Sequence, residues 1–113
     1  ARPAWVEVFR YLSAWMTGRE AEAHNVARFL NPARSPMVAA VVLMDAGAYG
    51  EVERAAEAKA RLRRDDPKFL EDPQQNLQRR GFEAGVAGRI AARMQQGFAV
   101  AERGVAEAKR NRE

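Results

Sequence analysis

From residue 3 to residue 16 the large apolar residues Trp5, Val8, Phe9, Leu12, Trp15 and Met16 recur at the spacing of one helical face, with Glu7, Arg10 and Ala14 opposite. Pro3 suits an early helical position and Gly18 a helix end. A second segment, 19–30, carries Ala23, Val26, Ala27 and Leu30 as an i, i+3, i+4, i+7 stripe and stops at Asn31-Pro32. A third, 37–46, is apolar almost all round, which predicts the most buried helix; Gly47 and Gly50 bracket a turn around Tyr49. The fourth, 51–64, is charged on most faces and offers a core only Val52, Ala55, Ala56, Leu62 and the stem of Lys59. It ends at Asp65-Asp66-Pro67, beyond which Phe69 and Leu70 are expected to plug the core. Asp72-Pro73 then has the pattern of an N-cap followed by proline at the first helical position.

The fifth segment, 73–110, is the longest. It holds Gly81, Gly85, Gly88, Gly97 and Gly104 inside a helical pattern, each costing about 1 kcal/mol against alanine. Either the segment breaks near Gln95-Gln96-Gly97, or the glycines let another backbone come close. Gly81, Gly85 and Gly88 with Ala92 form one small-residue stripe, and Gly97, Ala101, Gly104 and Ala108 a second. Opposite them runs a large apolar row, Phe82, Val86, Ile90, Met94 and Phe98. Such a helix offers two packing surfaces, either one of them for a partner or both used within the chain with a kink between. Strand-like alternation is nearly absent. The expected fold is all-α, a single helical domain over residues 1–113: helical hairpins followed by a long glycine-containing C-terminal helix or helix pair.

Gly18 to Ala27 and Gly47 to Ala56 share a pattern, with a glutamate four residues after the glycine and small residues further on, as in two hairpins that each turn on a glycine. In the second of these, Ala40, Leu43, Gly47, Tyr49 and Glu51 stand in the order and spacing of a tetratricopeptide-type hairpin, which this stretch resembles. The resemblance implies two antiparallel helices on a tight turn. It departs from the family at Ala56, where the second helix should carry a large aromatic, and at Pro67, which closes the unit late. An unrelated helical hairpin on a glycine turn has the same features, and no family is assigned.

Composition narrows the chemistry more than it identifies it. The 113 residues are 47% hydrophobic, enough for a core, and 30% charged, with a net charge of +4. The absence of cysteine removes disulfides, thiolate metal sites and thiol nucleophiles. A single histidine, His24, argues against most zinc and non-heme iron sites, so neither metal nor cofactor is expected. His24 lies four residues after Glu20 and reads as a surface histidine in a helical pair; no nucleophile or oxyanion hole neighbours it in sequence. Asp65-Asp66 and Glu71-Asp72 read as caps. An enzyme is therefore not expected. No signal peptide or long apolar run is present, which makes a cytoplasmic location the default.

The role these features point to is non-catalytic. The chain is expected to be a protein–protein interaction, assembly or adaptor/chaperone-like subunit, or a structural component of a larger particle, acting on a protein partner or by self-association as an oligomer. Partner-binding candidates are Trp5 and Trp15 on the first segment and Phe82, Val86, Ile90, Met94, Phe98, Gly81, Gly85 and Gly88 on the last. The apolar face of the first segment is expected first to pack on the chain's own core and second to dock a partner; with Arg2 and Arg10 flanking its tryptophans, a membrane-surface helix is the weakest of the three expectations. Residues 73–113 hold the whole +4 excess, so a nucleic-acid role through Arg79, Arg80, Lys109, Arg110 and Arg112 is the alternative.

Overall fold

The computed structural model describes residues 3–112. All regular structure among them is helical: α1 (Ala4–Met16), α2 (Glu20–Ala27), α3 (Pro36–Ala48), α4 (Val52–Asp65), α5 (Pro67–Glu71), α6 (Pro73–Arg79) and α7 (Ala84–Asn111). The all-α expectation holds. None of these helices is long and apolar enough to cross a membrane. Arg2, one flank of the membrane-surface expectation, lies outside the described residues.

The architecture is set by α3. Its apolar residues leave no polar face, and Val38 to Gly47 are all buried. A helix of that kind needs neighbours on every side; α3 is enclosed by α4, α7, α1 and α2, while α7 also packs along α4 and α6. Ser35 starts α3 by accepting the Val38 N–H at 3.2 Å, with Pro36 at the first helical position. Phe69 and Leu77, from the short helices α5 and α6, close the core, and Asp72 caps α6 as its sequence predicts.

Helix ends differ from the periodic reading where specific hydrogen bonds decide them. α3 continues through Gly47 and ends at Tyr49-Gly50, where Gly50 (φ +67°) lets the Glu51 N–H return to the Ala46 carbonyl at 2.8 Å. Gly18 occupies the same place after α1, so the internal similarity pairs Gly18 with Gly50, not with Gly47. α2 stops at Ala27, short of the expected Leu30, because the Arg54 guanidinium donates to the carbonyls of Ala27 and Leu30 at 2.6 and 3.1 Å. The last segment does break, at Gly81 (φ +104°) through Glu83 and not at Gln95-Gln96-Gly97. Glu83 starts the second piece by accepting the Gly85 N–H.

The small residues of α7 lie on two different sides. Gly85 and Ala92 are exposed and Gly88 only half-buried, whereas Gly97 and Ala101 are buried with Ala87, Ile90 and Met94. Glycine and large apolar residues thus share one inward stripe and do not form two opposed surfaces. At Gly97 the backbone of α7 comes close to that of α3. A Cβ there would stand 2.5 Å from the Leu43 carbonyl oxygen, and one on Gly47 would stand 2.5 Å from the Gly97 Cα. A Cβ on Gly88 would make only ordinary contact, 3.6 Å from Gln74. Gly97→Ala is expected to destabilise the chain by about 2 kcal/mol or more through forced separation of two backbones. Gly88→Ala is expected to stabilise it by up to about 1 kcal/mol through helix propensity. Denaturant unfolding of both variants checks the contrast.

Candidate functional site

Two features stand apart from ordinary packing: an apolar groove at the start of α1 and a polar network threaded through the core. The groove follows from how α1 is rotated. Val8, Tyr11, Leu12 and Ala14 turn inward, so the buried face lies to one side of the predicted stripe. Tyr11 and Ala14 were not on that stripe; Trp5 and Phe9 were, and they end up outside at 64% and 55% exposure. The reason is Tyr11, whose buried hydroxyl receives the Arg93 Nε–H at 3.0 Å and so needs the inward position. Trp5 and Phe9 meet edge to face at 6.2 Å. With Val8, Met37 and Phe82 they line a cleft of about 440 Å³, and Arg80 stands at its edge. Arg80 is held there by Asp66 at 2.9 Å and by the Phe69 ring.

The other partner-binding candidates are placed differently. Trp15 is half-buried against Tyr11 and covered by Arg93 and Arg89, 4.7 and 5.3 Å from its ring. Ile90 and Met94 are fully buried in the chain's own core, which removes them from any partner surface. Val86 and Phe98 are half-buried against that core, Phe98 under Lys59, which also pairs with Glu102. Gly81 ends α6, and Gly85 and Gly88 face neither another backbone nor the groove. The structure therefore brings together Trp5 and Phe82 of the predicted set and adds Phe9 and Met37. Phe29, 76% exposed just after α2, lies in a separate depression with Glu7 and Arg34.

The basic candidates do not form one patch. Arg79 and Arg80 precede α7, while Lys109, Arg110 and Arg112 lie at its far end, roughly 40 Å away at 1.5 Å per residue.

The polar network begins at Asp45, in the middle of α3's apolar run and fully buried. One carboxylate oxygen lies 2.8 Å from His24 Nδ1. Burial pushes the Asp45 carboxyl above its ordinary range, and the His24 hydrogen bond and charge pull the other way. The His24 ring stacks on Tyr49, centroids 3.8 Å apart. Glu20, expected to pair with His24, instead takes a two-pronged bond from Arg93 at 2.8 and 3.0 Å. Desolvation works against the Arg93 charge, but Glu20 and Tyr11 more than offset it and raise its pKa. The network was invisible in sequence because its members come from α1, α2, α3 and α7. The one local sign was a lone aspartate in an apolar run.

Comparison with family models, curated proteins and solved structures finds no match to this chain.

Burial raises the Tyr11 phenol far above its ordinary value of 10.0, with the Arg93 charge opposing. The neutral phenol is therefore favoured by folding. That stability is complete below pH 10.0 and is lost as pH rises through the folded value. An absorbance titration of the two tyrosines should show one resisting ionisation until the chain unfolds. Both ionising together while the helical signal stays native would contradict this placement.

Proposed function

We propose that this chain is a non-catalytic interaction subunit that docks an apolar segment of a protein partner, or of a second copy, into the α1 groove. One observation carries the reading: Trp5 and Phe9 stand more than half exposed beside a cleft lined by Val8, Met37 and Phe82. A small domain gains about 1.5–3 kcal/mol from burying each large apolar side chain, so leaving two adjacent aromatics in water needs a reason. Adjacent aromatics with an arginine at the rim are the composition of an interface centre.

The reading is narrower than the sequence expectation. The surface once assigned to α7 is largely taken up by the chain's own core, so the case rests on α1. Nucleic-acid binding is the weaker alternative, because its arginines are split between the ends of α7.

Replacing both aromatics, Trp5→Ser with Phe9→Ser, should leave the unfolding midpoint within a few degrees of wild type, since neither is core. Light scattering at two concentrations separates the two kinds of occupant: a mass that rises with concentration in wild type and not in the double variant indicates a second copy. A monomer at both concentrations, with no partner whose co-purification depends on Trp5 and Phe9, would count against the proposal.

A further inference from the structure

We infer that His24, Asp45 and Glu51 form a binding site for one divalent transition-metal ion of the zinc class, at the corner where α2 meets the α3–α4 turn. Each residue offers one ligand atom, a ring nitrogen or a carboxylate oxygen, and the three atoms lie within 4.8 Å of one another. The ligands come from three places: α2, the last turns of α3, and the residue just before α4.

A second observation points to a missing partner. Asp45 is fully buried, its one oxygen beside His24 is satisfied, and its other oxygen, Oδ1, has no hydrogen-bond partner. A desolvated carboxylate oxygen without a donor is costly and rare in folded proteins. It becomes favourable when a cation shares the site. Glu51 is exposed, and its carboxylate accepts no hydrogen bond and enters no ion pair among the described residues. Its negative charge next to Asp45 adds repulsion that a cation would relieve.

The surrounding charges fix the valence and the class. Glu20 is already neutralised by Arg93, so it is not a fourth ligand. Two carboxylates and a neutral imidazole sum to the charge that a divalent ion balances. The imidazole favours zinc-like ions over magnesium or calcium, which prefer all-oxygen ligands. Stacking on Tyr49 holds the His24 ring plane, as a ligand-orienting neighbour does. Ligand bonds of about 2.0–2.2 Å set tetrahedral ligand atoms about 3.4 Å apart. His24 Nδ1 and the Asp45 oxygen, now 2.8 Å apart, would open slightly, and the Glu51 carboxylate, exposed on a turn, would swing inward. The partly exposed His24 side chain gives the ion a way in. With three protein ligands, water completes the shell.

The test uses the chain free of any histidine tag, so that His24 is its only imidazole. Zinc chloride is titrated calorimetrically and against the His24 ring resonance. The expected result is saturation near one ion per chain, with the resonance shifting in step and the thermal midpoint rising with zinc concentration. Glu51→Gln should weaken zinc at least about tenfold without lowering the metal-free midpoint, since it also removes a charge that repels Asp45. Magnesium at the same concentration should not compete. The inference is overturned by no saturable uptake up to about 1 mM zinc, by an unchanged affinity in Glu51→Gln, or by magnesium displacing zinc. None of these outcomes bears on the α1 groove.

Discussion

A helix with no polar side has to be surrounded, and that requirement on α3 organises the rest of the chain. Four helices press on it, and against α7 the backbones themselves approach closely at Gly47 and Gly97. Two helices that meet without side chains between them gain close packing along their length. They also lose tolerance, because any Cβ at the crossing has nowhere to go. The glycines of α7 that looked wasteful are therefore of two kinds. Gly97 is fixed by the crossing and Gly104 is hemmed in by Val52 of α4, whereas exposed Gly85 and half-buried Gly88 meet no neighbouring backbone.

The same enclosure makes Asp45 unusual. It is the one buried charged residue among the described residues, and it sits in the most apolar helix. The arginine on the neighbouring helix acts on it only through its charge and makes no hydrogen bond to it. Arg93 is spent on Glu20, on the Tyr11 hydroxyl and over the Trp15 ring. That leaves the imidazole of His24 as the only side-chain hydrogen-bond partner of Asp45 among the described residues. Such an arrangement does little for stability compared with an apolar side chain of the same size. The metal site inferred above would account for its place in the core.

Much of the fold was legible because periodicity and punctuation act locally. The apolar third segment, the Asp72-Pro73 start and the plugging Phe69 are all properties of neighbouring residues, and each is where the sequence puts it. What was not legible depends on residues far apart in the chain. The short α2 is decided by Arg54, twenty-four residues or more further on. The rotation of α1 is decided by Arg93, on the opposite end of the chain. His24 was paired with Glu20 on helical spacing, but both chose partners on other helices. The groove was half visible: Trp5 and Phe82 stood out as large apolar residues, yet only the rotation of α1 told which of six aromatic and aliphatic positions would face water.

That rotation separates the two tryptophans, although they share one helix. Trp5 stands in solvent at the groove, while Trp15 is covered by two guanidinium groups. The indoles are accordingly expected to differ in emission, Trp5 red-shifted and open to collisional quenchers and Trp15 shielded from them. Intrinsic fluorescence of the native polypeptide can thus follow occupancy of the α1 surface and loosening of the interior as two independent signals, without a dye.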